Sequence, residues 1–444
     1  MTYFQSDLPI KEFQARRDRV ADRIGFHAMA VIAGAGATGA FDVFRQTNEF
    51  YYLSGVEVPH AYLLIRGDSR EATLYLPHQD AKHERSEGPQ LNCDLPDDAR
   101  RLTGIEQIAP LARLADDVRS GGCLYLPQQP AEGRQACRDI LRYRQHLADA
   151  DPWSQRPTRE EHFRSLVAAK AESAELSDLS PILDELRLVK SEREIALMRR
   201  AGELTAQGIR AAMQRTRAGL FEFQLAAAAD HIFADAGARG AGYRPIVAGG
   251  ANIWNAHYYR NQAELVDGDW VLMDYAPEVA YYTSDIGRMW PVSGRYSDRQ
   301  RELYDFVVEY HEILLQVIRP GLSVSQLAQE AESRIRPLWE AWPFSKADYR
   351  NAAERMIESE IAFTHPVGMA VHDVGDYRDA PLRPGIVFAL DPQLWVPSES
   401  IYVRVEDTVV VTDDGVEVLT AGVPRRADQI EAVMNASADV RQSS

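Results

Sequence analysis

Disulfide chemistry has little to work with in this chain, because Cys93, Cys123 and Cys137 are its only cysteines in 444 residues. An odd, sparse set in a long chain excludes a disulfide framework and fits a reducing compartment, so three inert buried thiols are expected. Long apolar runs are missing as well, and none approaches the roughly 18 residues of a membrane span. The start, MTYFQSDLPIKEF, lacks the basic-then-apolar pattern of a signal segment. These absences point to a cytoplasmic protein. Basic charge is in deficit too: 49 Lys and Arg against 66 Asp and Glu leave −17. That balance argues against nucleic acid or an anionic membrane as partner and keeps the protein soluble.

What is present suits an enzyme of two domains, since 444 residues with 45% apolar content exceed what one core serves. In the first 180 residues, strand-like runs alternate with helical stretches: AMAVIAGAG from Ala28, AYLLIRG from Ala61, ATLYLP from Ala72 and CLYLP from Cys123. Such alternation reads as an α/β layer. From about 128 to 175 the chain turns polar and helical. ELSDLSPILDELRLVKSERE then leads into a long amphipathic helix whose buried side carries Ile195, Met198, Leu204 and Ile209. The boundary is expected near 180, giving domains 1–180 and 181–444.

The second domain carries an internal echo. RAGLFEFQLA from Arg217 and RPGLSVSQLA from Arg319 share R-x-G-L-x-x-x-Q-L-A at an offset of 102 residues. Each copy follows an amphipathic helix; the second shows Leu303, Phe306, Tyr310, Ile313, Leu314 and Val317 before Pro320 and Gly321 end it. The pattern predicts a fused duplication with a cleft between its halves.

Five ligand-type side chains fall in this domain at spacings that suit a two-metal carboxylate centre: Asp274, Asp285, His365, Asp391 and Glu406. Four carboxylates and one imidazole make a hard, anionic cage for manganese, cobalt, iron or zinc ions that polarise a carbonyl and activate water. In VLMDYAPEVAYYTSDIGRMW, Asp274 closes an apolar strand. Asp285 follows eleven residues later, after a turn at Ala276-Pro277-Glu278 and a second strand rich in Tyr. A hairpin would bring both carboxylates to one end, where their burial needs a compensating cation. In VRVED, a period of two puts Arg404 and Glu406 on one face, so Arg404 either neutralises Glu406 or serves the site beside it.

THPVGMAVHDVGD adds His365 and His372, seven residues apart, which fits a loop-then-strand layout better than adjacent helical positions. Asp373 stands next to the second imidazole, where it could hold one tautomer. His257 in WNAHYYRN is a further candidate for handling a proton.

Together, HYYRN at His257, the Asp274 and Asp285 hairpin with SDIGRMWPVSG, the H-x6-HDVG segment from His365 and RVEDTVVVT around Glu406 resemble the aminopeptidase P and prolidase family. Upstream, FRQTNEFYYLSGVEVPHAYLLI from Phe44 resembles the amino-terminal domain of the aminopeptidase P branch. The resemblance implies a ribonuclease-H-like amino-terminal α/β domain followed by a pita-bread catalytic domain of two pseudo-symmetric α/β halves. It also implies a dinuclear centre, usually manganese, with Asp285 and Glu406 bridging both ions, Asp274 on one, and His365 and Asp391 on the other. A metal-bridging hydroxide would attack the carbonyl before proline. His257 and His372 would bind substrate and stabilise the oxyanion, Arg404 would shape the prime-side pocket, and a homodimer or homotetramer is implied.

One departure stands against that pattern. Where the family shows T-x-E-P-G, this chain reads ALDPQLW, with Asp391 for the glutamate that is both ligand and proton acceptor, and Gln393 for the glycine. Asp is one methylene, on the order of 1.5 Å, shorter in reach, which matters at catalytic tolerances. Pro366 after His365 also replaces a usual small residue. Three function classes follow: a metal-dependent Xaa-Pro aminopeptidase or dipeptidase; a relative with other chemistry, such as creatinase-like hydrolysis or a metal-dependent lyase or hydrolase on a small zwitterion; and a weakly catalytic scaffold. Fold alone does not choose among them.

Overall fold

The computed structural model describes residues 3–36, 42–120, 122–154, 156–171 and 174–442. It divides into two compact units, Met1–Arg187 and Leu188–Ser444. No helix among the described residues is long and apolar enough to cross a membrane.

In the first unit, the apolar runs become β1 (Ala28–Ala33), β2 (Tyr62–Arg66), β3 (Ala72–Leu76) and β5 (Cys123–Leu126). β4 (Gln107–Pro110) and β6 (Glu175–Asp178) are four-residue, partly polar strands without a sequence signal of their own. The six lie in the order β4-β3-β2-β1-β5-β6. β1, β2 and β3 are antiparallel, whereas β5 runs parallel to β1 and β6 to β5, the mixed sheet of a ribonuclease-H-like domain. Val31, Leu64, Leu74 and Leu124 bury its centre, each contributing about 1.5–3 kcal/mol. The polar stretch beyond 128 forms the helices Arg138–Ala150 and Arg159–Lys170.

This unit also buries charge. Arg138 donates to Glu49 at 3.0 Å and to Asp184 at 2.6 Å, while Arg187 makes two hydrogen bonds to Glu132 at 3.1 and 3.3 Å. Burial, and then the Glu132 charge, push the Glu49 carboxyl up to about 8. All three cysteines are free thiols, but only Cys137 is buried. The expectation of three buried thiols is corrected: Cys123 begins a strand and Cys93 sits in a loop, and both are half-buried.

In the second unit, a helix pair Glu192–Arg215 and Glu222–Asp235 precedes β7 (Ile246–Gly249), β8 (Trp270–Asp274) and β9 (Ile286–Pro291). A second pair, Asp298–Val317 and Val324–Ala341, precedes β10 (Phe363–Pro366) and β11 (Val387–Leu390). There follow the hairpin β12 (Gln393–Val396) and β13 (Ile401–Arg404), then β14 (Glu406–Val411) and β15 (Val416–Val418). The main sheet runs β10-β11-β14-β9-β8-β7, so three strands of one half mirror three of the other across the β9–β14 seam. Each copy of the internal echo lies at the entry to the second helix of its pair, as a duplication requires.

Local chemistry starts these helices where they are needed. Ser191, Ser297 and Ser323 cap them, with Glu194, Gln300 and Gln326 closing the reciprocal capping boxes. Ile195, Met198, Leu204 and Ile209 are buried, as are Leu303, Phe306, Tyr310, Leu314 and Val317. β8 and β9 are buried throughout, which explains why neither alternates; the charge inside β9, Arg288, is paired with Asp407 at 2.7 Å.

Candidate metal centre

Strand register assembles the cage. Asp274, last residue of β8, pairs with Gly287 of β9, and Glu406, first residue of β14, pairs with the same glycine. Neighbouring strands lie about 4.8 Å apart, so Asp274 and Glu406 flank the start of β9, beside Asp285. Gly287 has to lack a side chain: a Cβ there would come within 2.8 Å of Arg404 Nε and 3.0 Å of Glu406 Oε2. Asp391 follows β11 directly, and His365 lies on the adjacent β10.

The five predicted ligand residues therefore meet in one place. One ligand atom each from Asp285, His365 and Glu406 lies within 4.8 Å of the others. Arg404 joins the remaining two, donating from Nη1 to Asp274 at 3.0 Å and from Nε and Nη2 to Asp391 at 3.1 and 2.9 Å, while also contacting Glu406. Asp274, Asp285, Asp391 and Glu406 are all buried, Glu406 completely. Burial, and then the Asp274 charge, raise the Asp285 carboxyl well above its ordinary range. Burial likewise raises Glu406 and Asp391 against the opposing pull of Arg404. Burial works to lower the Arg404 guanidinium, but Asp391 and Glu406 carry it well above its usual value.

These residues fit divalent metal. Four carboxyl groups face one guanidinium, more acid than Arg404 alone can pair, and Glu406 Oε1 is buried with no hydrogen-bond partner among the described residues. His365 Nδ1 lies 3.2 Å from the Pro366 carbonyl, which only accepts, so this nitrogen carries a proton. Its Nε2 faces Asp285 Oδ2 at 3.4 Å, which sets the imidazole beside the carboxylates as a metal-ligating ring would be set. A smaller group in the first unit, His78, Cys93 and Asp94, also brings three ligand-type atoms together, but its histidine is largely exposed.

The other candidates lie beside the cage. The His365 and His372 rings are 3.9 Å apart, and those of His372 and His257 are 6.0 Å apart. His257 is exposed and His372 half-buried.

Three local expectations are corrected. The Tyr-rich stretch after Asp274 is not a strand, because Ala280 and Tyr281 take positive φ values of 48° and 74°, and the second strand begins only at Ile286. His365 is in a strand and His372 in the irregular chain after it, the reverse of loop-then-strand. Alongside these, Asp373 forms a buried ion pair with Lys190 at 3.3 Å. IYVRVEDTVVVT breaks at Val405 into strands of two different sheets, and Arg404 and Glu406 meet across that break.

Sequence reasoning missed Tyr243, whose hydroxyl lies 2.7 Å from Asp274 and 3.0 Å from Asp285. Nothing in GAGYRPI marks it. It missed Thr408 too, whose Oγ1 accepts from the Asp285 amide at 2.6 Å and donates to its carbonyl at 2.8 Å; its place in RVEDT was the available signal.

Comparison with known proteins agrees with this architecture. Residues 196–413 match the model of metallopeptidase family M24, and residues 13–122 match the aminopeptidase P amino-terminal domain. The chain is 31% identical to the Xaa-Pro aminopeptidase of Escherichia coli (strain K12), across 97% of this chain and 99% of that protein. Among solved structures, zinc-substituted E. coli aminopeptidase P in complex with product is similar with a TM-score of 0.79 at 29% identity, over 97% of this chain and 99% of that one. The low-pH form of E. coli aminopeptidase P is similar with a TM-score of 0.81 at 28% identity, over 98% of this chain and 100% of that one.

Proposed function

The chain belongs to metallopeptidase family M24, in its aminopeptidase P branch, and from that premise we propose that it is a metal-dependent Xaa-Pro aminopeptidase, releasing the first residue of peptides whose second residue is proline. The observation that carries this reading is the convergence of the buried Asp274, Asp285, Asp391 and Glu406 with the half-buried His365, from the two halves of one sheet. The creatinase-like and lyase alternatives are disfavoured, because the likeness to an Xaa-Pro aminopeptidase extends over nearly the whole chain.

In this proposal those five side chains hold two divalent ions, manganese foremost, with cobalt, iron or zinc as substitutes. When bound, such ions supply Lewis acidity and a nucleophile near neutral pH. The protein's own groups do the rest. Tyr243 orients Asp274 and Asp285, as its two contacts support. His257 and His372 bind the substrate and stabilise the oxyanion of the tetrahedral state, where preorganised donors are worth most. Asp391 would take a proton from the attacking water and pass it to the departing proline nitrogen as the carbon–nitrogen bond breaks. Arg404 bridges Asp274, Asp391 and Glu406, offsets their mutual repulsion and shapes the prime side. We further propose domains 1–180 and 181–444, a cytoplasmic location and a homodimer or homotetramer. A peptide is the partner, while the charge of −17 weighs against nucleic acid and anionic membranes.

Metal analysis of the purified protein, together with a screen of Xaa-Pro and Xaa-Ala peptides, tests the reading. Two ions per chain and cleavage confined to Xaa-Pro with a free amino terminus are expected. Equal turnover of Xaa-Pro and Xaa-Ala would refute it.

A further inference from the structure

Asp391 is the ligand candidate that is one methylene short of its family pattern, and two residues on a carboxamide has replaced a hydrogen. The structure connects these two changes. Gln393 opens β12 and is paired with Arg404 of β13; Trp395 is paired with Tyr402. The period of two places all four side chains on one face of the hairpin. Arg404 grips both oxygens of Asp391 at 3.1 and 2.9 Å, and the Gln393 amide nitrogen donates to the Oδ2 of the same carboxylate. The far end of that amide is also held: the Trp395 indole N–H lies 3.3 Å from Gln393 Oε1. An indole nitrogen only donates, so this contact fixes the amide with its oxygen toward Trp395 and its NH2 toward Asp391. Trp395 is in turn stacked on Tyr402, centroids 4.0 Å apart, with Trp254 edge-on at 5.2 Å.

We propose that Gln393, locked by Trp395, is a positioning residue that holds the shortened Asp391 in the orientation the metal cage needs. A carboxylate on a shorter stem has fewer ways to reach an ion, so holding its rotation recovers part of the lost tolerance. The Trp254–Trp395–Tyr402 stack is the rigid base of this arm. The proposal rests on the metallopeptidase reading only in taking the cage to hold divalent ions.

The test is calorimetric titration of full-length, metal-stripped protein with Mn2+, alongside thermal melting of the same metal-free samples. Gln393→Met keeps bulk but removes the donor, and it is expected to weaken Mn2+ binding by about 10-fold or more, as loss of an outer partner of a ligand does. Its metal-free melting temperature should not change, which a merely structural role would not allow. Trp395→Phe keeps the stack and removes only the N–H; a smaller loss of affinity is expected, and none beyond that of Gln393→Met when the two are combined. Unchanged Mn2+ affinity in Gln393→Met, or additive effects in the double variant, overturns the proposal. If Gln393→Met fails to fold, Trp395→Phe decides alone, with a weakened affinity in support and an unchanged one against. Wild-type protein that takes up no Mn2+, Co2+ or Zn2+ would overturn the metallopeptidase reading itself, and this proposal with it.

Discussion

Replacing Gly287 by alanine adds one methyl group at the point where β8, β9 and β14 bring their carboxylates together. The new Cβ would lie 2.8 Å from Arg404 Nε, 3.0 Å from Glu406 Oε2 and 3.1 Å from Arg404 Cδ. Ordinary contact is about 3.5–4.0 Å, so Arg404 and Glu406 must retreat by roughly 0.5–1 Å. Gly287 lies outside the left-handed region, so alanine meets no backbone strain. Overpacking costs about 1–3 kcal/mol. The stiffer unfolded chain returns about 0.4–1 kcal/mol. A net loss of about 1–2 kcal/mol should lower the melting temperature by only a few degrees, at about 2–4 °C per kcal/mol for a unit of this size. The site should suffer far more, because misplacing catalytic groups by about 1 Å costs on the order of 100-fold in rate. Initial rates on a fluorogenic Xaa-Pro peptide, Mn2+ titration and a thermal melt read out the three effects. Gly415→Ala is the control, since nothing among the described residues lies within 4 Å of a Cβ there and neither rate nor stability should change. Gly287→Ala activity within about twofold of wild type would refute the account of how these strands form the cage.

Asp285→Ala should remove metal and activity together, because its carboxylate meets both His365 and the Tyr243 bridge; elemental analysis showing unchanged metal would exclude it as a ligand. Asp391→Glu should lower Mn2+ affinity or turnover, since the longer stem crowds a carboxylate already held by Arg404 and Gln393, and a gain of about 10-fold in kcat/KM would instead mark Asp391 as a degraded ligand. A pH dependence follows from Glu49, whose carboxyl is pushed from 4.5 up to about 8 by burial and then by Glu132. The folded state holds that proton more tightly, so its contribution is complete below 4.5 and is lost as pH rises through about 8. Glu49→Gln should flatten the fall in melting temperature across that window, and an identical pH profile in the variant would contradict the assignment.

Elements were legible where burial imposed a period or a run. β1, β2, β3 and β5 were, because continuous apolar runs bounded by turns have few other uses. β4 and β6 were not, since short strands with partly polar sequences depend on neighbours that are distant in sequence. The break at Val405 was hidden for a related reason: Val403 and Val405 alternate with Arg404 and Glu406 straight through it, and only the partners of each half show that they join different sheets.

By itself, the sequence determined the inventory of chemistry: which side chains are able to ligate, the duplicated helix entry, and the order of the motifs along the chain. These are properties of residue type and short spacing, and local forces act on them directly. Tertiary structure alone decided the register that sets Asp274 and Glu406 against one glycine, the approach of Tyr243 to two carboxylates, and the pairing of Asp373 with Lys190. It also decided that Gln393 would face Asp391, with Trp395 fixing its amide. Each of these depends on strand pairing or packing between residues far apart in sequence, or on the side-chain orientation that such packing imposes. A side chain's burial and its partners are settled only when the whole sheet closes.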